Sequence, residues 1–363
     1  MTRLRALKDA KSTPSTKPAA KKTKIFIAGI GAVGGSLVHQ VQKIAESASV
    51  ELIGVCDSSR TLWGNGEKKP ITKRDIRHGK PKDWEQIIKT IKPKNEEYVV
   101  FVDATGNLKV SELYLKLFEN GIHVVTPSKL ANTRKQVYFD LLKNTAKENG
   151  VEFLYETNVG AGLPIIQTLK SFIESGDKVL EIEGVLSGTM TYLFSQLDEG
   201  NSFSEAVIRA RQLGYAEPDP RDDLSGEDVA RKMMILARIC GIEVERDELH
   251  VDPITPEKLR DVDSTTFLQK LPEYDNEWSD RLEKLNSDEK TLRYVGTLAD
   301  GKITVGLKEV REDSPFGRLT GTNNLVKIKT ERYFDQPLII QGPGAGKEVT
   351  AAGILSDILK IGE

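Results

Sequence analysis

The stretch Gly29-Ile30-Gly31-Ala32-Val33-Gly34 constrains this chain more than any other. It follows the apolar run Ile25 to Ile27 and opens an amphipathic segment that continues to about Ala48. Glycines at this spacing between a strand and a helix lay a pyrophosphate on the helix N-terminus. The first permits the tight turn, the second lets phosphate approach the backbone, and the third lets helix and strand pack closely. The motif alone is weak, and its strand-helix-strand context makes it strong. Gly29, Gly31, Ala32, Val33 and Gly34 are therefore the expected dinucleotide cradle.

Around this unit, short apolar runs alternate with helical spacing. Glu51 to Asp57, Tyr98 to Asp103, His123 to Val125 and Val151 to Tyr155 read as buried strands, with helices near Ser111 to Glu119 and Asn132 to Lys147. This alternation predicts an α/β fold, a Rossmann-like doubly wound parallel sheet. After Pro164 the pattern changes. Strands at Val179 to Val185, Thr291 to Ala299, Lys302 to Val310, Asn324 to Thr330 and Pro337 to Gln341 mix with helices at Thr189 to Leu197, Phe203 to Leu213 and Ser225 to Cys240. Asp300-Gly301 marks a hairpin, because that pair tolerates the positive φ of a type I′ turn. The run Asp263 to Asp288 is polar and reads as a loop with short helices. The second half is expected to be an inserted α+β unit with a mixed sheet.

Composition narrows the function classes. With 38% hydrophobic residues, 29% charged residues and a net charge of −2, the chain has no basic bias toward nucleic acid and no single-sign field toward a membrane surface. No apolar stretch approaches the roughly 20 residues that span a bilayer, so a soluble, cytoplasmic protein is expected. Cys56 and Cys240 each sit in apolar surroundings and read as buried thiols. Residues Met1 to Lys22, rich in Lys, Arg, Ser, Thr and Pro, read as a disordered basic tail or linker, with an organellar presequence as the competing reading. His39, His78, His123 and His250 show no metal-ligand spacing.

Candidate cofactor residues lie at strand ends. Asp57 ends the second strand where a ribose-binding acid of an NAD enzyme sits, while Arg60 suits the 2′-phosphate of NADP, so the preference stays open. The Thr105 hydroxyl could reach a ribose or nicotinamide, or it could simply shape a strand-to-helix turn beside Asn107. Lys129, in Thr126-Pro127-Ser128-Lys129, can reach into a cleft. The segment Gly214 to Asp223 concentrates carboxylates on a proline-stiffened loop, and Asp228 and Lys232 follow one helical turn apart. With Ser225 as N-cap, Asp228 would fall at N3 and could close a capping box. The helix is apolar over most of its circumference, however, which favours a charge pair facing a site.

These motifs, with Tyr155 to Pro164, Ser187-Gly188-Thr189 and Gly342-Pro343-Gly344-Ala345-Gly346, resemble the homoserine dehydrogenase family over nearly everything beyond the tail. The resemblance implies NAD(P)H-dependent reduction of L-aspartate 4-semialdehyde to L-homoserine, on the route to threonine and methionine. It implies Lys232 as acid/base group with Lys129 as companion. Glu217 and Asp228, with Asp223 nearby, become substrate carboxylates, and Tyr215, Thr189 and Gly188 line the pocket. Glu156 and the carbonyls of Val159, Ala161 and Leu163 match a monovalent-cation site, taken as sodium, and Gly346 returns to the cofactor. The implied division is residues 1–22 as tail, 23–155 as nucleotide-binding unit, 156–335 as catalytic and dimerisation unit of a homodimer, and 336–363 as a returning segment. The chain shows no aspartokinase module or appended regulatory domain, so threonine feedback through such a domain is not expected. Another amino-acid-linked NAD(P) oxidoreductase, or a silent nucleotide-binding regulator, are the alternatives.

Overall fold

The computed structural model describes residues 22–64, 71–94 and 97–362. All of the predicted tail except Lys22 therefore lies outside the described residues. The first half supplies strands β1 (Thr23–Ala28), β2 (Val50–Cys56), β3 (Arg60–Trp63), β4 (Lys80–Pro81), β5 (Tyr98–Asp103), β6 (His123–Val125) and β7 (Phe153–Leu154). They form one sheet in the order β4-β3-β2-β1-β5-β6-β7. The five strands from β2 to β7 in that order are mutually parallel, and β1 lies centrally between β2 and β5. The β3–β4 edge departs from the parallel pattern of the doubly wound sheet. The chain turns at Asp57, whose carboxylate accepts from the Ser59 and Arg60 backbone N–H groups at 2.7 Å each, so β3 runs back antiparallel to β2.

Helices α1 (Ala32–Ile44), α2 (Trp84–Ile91), α3 (Leu108–Ser111), α4 (Tyr114–Glu119) and α5 (Gln136–Glu148) connect these strands. The single helix predicted over Ser111 to Glu119 is two short ones, because Asn107 caps α3 early through the Lys109 N–H at 2.9 Å. The predicted start at Asn132 moves to Gln136, since Asn132 is buried and its side chain donates to Asn158 at 2.9 Å.

The second half supplies β8 (Val179–Val185), β9 (His250–Val251), β10 (Lys290–Ala299), β11 (Lys302–Arg311), β12 (Asn323–Thr330) and β13 (Leu338–Pro343), ordered β13-β12-β8-β10-β11-β9. Only the β9–β11 pair is parallel. Asp300 and Gly301 both have positive φ, 50° and 73°, and set Ala299 opposite Lys302 as the sequence signal requires. The helices are α6 (Ile165–Glu174), α7 (Gly188–Asp198), α8 (Phe203–Gln212), α9 (Arg221–Leu224), α10 (Glu227–Ile239), α11 (Ser264–Lys270), α12 (Asp275–Asn286) and α13 (Lys347–Lys360). The region read as a loop with short helices is thus largely helical. Asp263 caps α11 through the Thr265 and Thr266 N–H groups, and Trp278 stacks on Phe203 with ring centroids 4.6 Å apart.

Strand periodicity sorts the nucleotide-side core into two layers. Ile25, Ile27, Val100 and Val102 face Leu37 and Val41 of α1 together with Ile354 and Ile358 of α13. Phe26, Phe101 and Val124 face the other way, toward Ile87 and Ile91 of α2, Leu117 of α4 and Leu142 of α5. Thus α13, formed by the end of the chain, completes one face of the first sheet. Gln40 reinforces that packing by donating to the Glu348 carbonyl at 2.9 Å.

Candidate active site

The glycine loop has the stereochemistry its spacing predicts. Gly29 has φ of +91°, and a Cβ there would lie 2.7 Å from the Ala104 backbone. A Cβ on Gly34 would sit 1.8 Å from the Gly29 carbonyl oxygen, so only glycine lets α1 pack this closely. A Cβ on Gly31 would meet nothing within 4 Å, and Gly31 caps α1 without a side-chain hydrogen bond. The first N–H groups of α1, at Ala32 and Val33, therefore face an open cradle suited to a phosphate. This arrangement fits a dinucleotide.

At the end of β2, Asp57 is held below its ordinary range by hydrogen bonds from the Ser59 and Arg60 N–H groups, against the opposing effect of desolvation. The Arg60 guanidinium donates to the Gly79 carbonyl at 2.9 Å. Lys82, which sequence reasoning missed, donates to the Asp57 carbonyl at 3.2 Å and sits over Trp84. Its link to Asp57 arises only from the β3–β4 edge, so no sequence spacing marked it. Thr105 donates to Asp103 at 2.6 Å and accepts from Asn107 N at 3.1 Å. Its hydroxyl therefore shapes the loop that supports Gly29.

The charged residues of the second half converge on α10. Lys232 lies within the helix and is 9% exposed. Its Nζ donates to Asp228 at 2.7 Å and to the Leu186 carbonyl at 2.7 Å. Lys129, from the loop after β6, reaches the other Asp228 oxygen at 3.2 Å. Burial pushes the Lys232 ammonium below its ordinary value, and Asp228 opposes that shift. Asp228 itself is held well below the usual carboxylate range by the two lysines, which outweigh its desolvation.

The capping-box arrangement of Asp228 is corrected. Gly226, with φ of +76°, precedes the helix, and a Cβ there would lie 1.9 Å from the Tyr294 hydroxyl. The helix therefore begins at Glu227, and Ser225 Oγ accepts from the Glu227 N–H at 3.2 Å. Asp228 is left to face the lysines.

The acidic loop folds beside this cluster. Thr189 Oγ1, in the first turn of α7, lies 2.6 Å from the Tyr215 carbonyl and 2.8 Å from Asp223. The other Asp223 oxygen accepts from the Glu217 N–H at 2.8 Å. Burial raises the Asp223 pKa, with the charges of Asp228 and Asp222 adding to the effect. The exposed Tyr215 ring packs edge-on against Tyr192 at 5.0 Å. Gly188 is close enough to Thr322 that a Cβ would lie 3.1 Å from its carbonyl oxygen. The Glu217 carboxylate has no hydrogen-bond or ion-pair partner among the described residues.

Asn324 also escaped sequence reasoning. It is fully buried, donates to the same Leu186 carbonyl at 3.2 Å, and leaves its Oδ1 without a partner. Two amides opening a strand, Asn323-Asn324, were the only available signal.

Glu156 occupies a separate buried loop. Its carboxylate accepts from Ile166 N and Gln167 N at 2.8 Å each, capping the start of α6. Burial and then Asp357 raise its pKa. Asp357 accepts from the Glu156 N–H at 2.9 Å and pairs with Lys360 at 3.0 Å. Among the described residues no group of three His, Cys, Asp or Glu side chains could hold a metal. Any cation here would rely on loop carbonyls, and the positive φ of Gly160 and Ala161 shapes that loop. Gly346, with φ of +125°, caps α13, which packs on the same loop: a Cβ on Gly162 would lie 2.6 Å from the Val349 carbonyl oxygen.

Two family models match in sequence order: a homoserine dehydrogenase NAD-binding domain over residues 29–156 and a homoserine dehydrogenase domain over residues 164–359. The chain is 34% identical to homoserine dehydrogenase of Saccharomyces cerevisiae, covering 94% of this chain and 99% of that protein. It is 40% identical to a bifunctional aspartokinase/homoserine dehydrogenase of Haemophilus influenzae over 94% of this chain. It spans only 43% of that relative. Among solved structures, a hyperthermophilic archaeal homoserine dehydrogenase in complex with NADPH superposes with a TM-score of 0.70 at 26% identity, covering 93% of this chain and 97% of that one.

Proposed function

The chain belongs to the homoserine dehydrogenase family, and from that premise we infer that it interconverts L-aspartate 4-semialdehyde and L-homoserine with NAD(P)H. The observation that carries this reading is the donor arrangement at Lys232. An ammonium has three N–H donors. Asp228 and the Leu186 carbonyl take two of them, at 2.7 Å each. Among the described residues the third has no acceptor, which leaves it for a substrate oxygen.

When bound, the nicotinamide supplies the hydride. Lys232 donates a proton to the oxygen that gains charge, and Lys129 adds positive potential. Asp228 holds both lysines at the reacting oxygen. Glu217 is the unengaged anion for the substrate ammonium, and Asp223 with Thr189 holds the loop that presents it. Tyr215 and Gly188 complete the pocket wall. In this reading residues 23–155 hold the cofactor, 156–335 carry the chemistry and 336–363 return to the cofactor side.

The finer assignments rest on particular contacts. Arg60 and Lys82 beside Asp57 favour a 2′-phosphate and hence NADP. Among the described residues the buried Glu156–Asp357 pair has Lys360 alone to balance it, which suits a monovalent cation such as sodium held by Glu156 and the carbonyls of Val159, Ala161 and Leu163. The face of the second sheet turned away from α7 and α10 carries a ladder of Lys308, Glu183, Lys327 and Glu181. With the family resemblance, it is the surface for a homodimer. No described helix is long and apolar enough to cross a membrane. The family premise is what supports a role in threonine and methionine synthesis.

The experiment is a steady-state assay with L-aspartate 4-semialdehyde and each reduced cofactor in turn. Consumption of reduced nicotinamide, abolished in Lys232→Ala, is expected. No consumption with either cofactor refutes the activity.

A further inference from the structure

Arg238 is 2% exposed and lies toward the opposite end of α10 from Asp228. Its Nη1 donates to the carbonyls of Asn132 and Arg134, both at 2.8 Å, and its Nη2 donates to the Val244 carbonyl at 2.8 Å. Its guanidinium lies over the Phe139 ring and 3.8 Å from Glu245. Glu245 accepts from the N–H of Gln136, the first residue of α5, at 3.0 Å. The cation therefore holds carbonyls and the anion holds an N–H of the same segment, an arrangement matched to backbone polarity.

That segment carries Lys129. The Lys129 carbonyl accepts from the N–H and hydroxyl of Thr133 at 3.0 Å each. Upstream, Thr126 Oγ1 donates to the Asp103 carbonyl at 2.9 Å. Residues 126–136 are thus tied to the first sheet at one end and to α10 at the other. The same helix presents Asp228 and Lys232. A guanidinium is costly to bury; Nη1 engages two carbonyls of this segment and Nη2 the Val244 carbonyl, while Nε has no partner among the described residues, so the segment and α10 are coupled through Nη1.

We propose that Arg238 is a positioning residue for the reaction, fixing the Lys129 segment on α10 so that Lys129 and Lys232 flank Asp228 in register. This rests on the reading of Lys129 and Lys232 as catalytic residues. The test is a double-mutant cycle on kcat in the whole chain with Arg238→Met, Lys129→Met and the double variant, each accompanied by the cofactor KM and by Tm.

Arg238→Met is expected to lose about tenfold to hundredfold in kcat, the scale of a 1 Å misplacement. Its KM for reduced cofactor is expected to change less than about threefold. The double variant is expected within about threefold of Lys129→Met, because Arg238 acts through Lys129. Arg238→Lys, which keeps the charge with fewer donors, is expected to recover part of kcat, and it replaces Arg238→Met in the cycle should that variant not fold. Multiplicative losses in the double variant, or unchanged kcat in the Arg238 variants while Lys129→Met is impaired, overturn the positioning role. Unchanged kcat in Lys129→Met overturns the reading of Lys129 and this inference with it.

Discussion

Asp228→Asn removes the anion between two lysines while keeping nearly the same shape. The Lys232 side chain is 11% exposed and that of Asp228 is 48% exposed, with Nζ and Oδ2 2.7 Å apart. Unit charges about 4 Å apart attract by about 4 kcal/mol at an effective dielectric of about 20. Screening of a half-exposed carboxylate reduces this to about 2 kcal/mol, or about thirtyfold in the balance between charged and neutral lysine. Burial already disfavours the Lys232 ammonium, and Lys129 repels it. Loss of Asp228 therefore lowers the Lys232 pKa further, so that aldehyde reduction fails at progressively lower pH. The assay is the pH dependence of kcat for aldehyde reduction in wild type and variant. The alkaline limb of Asp228→Asn is expected to move to lower pH, with a loss of up to about thirtyfold above neutrality that shrinks on acidification. A loss equal at every pH, or an alkaline limb that stays in place, refutes the role of Asp228 as the charge partner of Lys232.

Further outcomes follow from the same geometry. Gly34→Ala places a methyl against the Gly29 carbonyl oxygen, 1.8 Å away before relaxation, and is expected to weaken dinucleotide binding by at least about tenfold, measured by fluorescence titration. Lys82→Ala combined with Arg60→Ala is expected to raise KM for NADPH while leaving KM for NADH within about threefold, and an equal rise for both cofactors counts against 2′-phosphate recognition. Glu156→Gln is expected to abolish any activation by sodium in a chloride-matched titration, whereas activation unchanged by the substitution removes Glu156 from the cation site. His123 is buried, and its Nδ1 accepts from the Glu152 N–H at 2.9 Å, with burial pushing its pKa down from 6.5 to about 4. Since the unfolded chain binds that proton first, this group's contribution is complete above pH 6.5 and declines as pH falls toward 4. His123→Gln is expected to show a smaller fall in Tm between pH 7 and pH 5, the signal being that difference.

What could be read ahead of the structure follows local rules. Alternation in β1 and β5 sends Ile25 and Val100 to one face and Phe26 and Phe101 to the other, so the layered sheet was legible in a few residues. The Asp300-Gly301 turn and the i,i+4 pair of Asp228 and Lys232 were equally local. The run after Asp263 holds more helix than the loop with short helices expected there, because Phe267, Leu271, Trp278 and Leu285 are too few to make an obvious stripe, although their burial is enough to hold two helices. The start of α10 was misplaced because the hydroxyl of Tyr294, distant in sequence, crowds Gly226.

By itself the sequence determined the glycine loop before α1, the faces of the parallel strands and the presence of a lysine and a carboxylate one turn apart. Backbone stereochemistry and side-chain periodicity act over a few residues and need no partner. Tertiary structure alone decided that Lys129 meets Asp228, that the Leu186 carbonyl receives Lys232, that Glu156 caps α6 and that Arg238 holds the loop after Lys129. Each of these joins segments remote along the chain, and several use backbone carbonyls that no side chain announces. Their energies depend on the low-dielectric surroundings created only when the two sheets and their helices pack together.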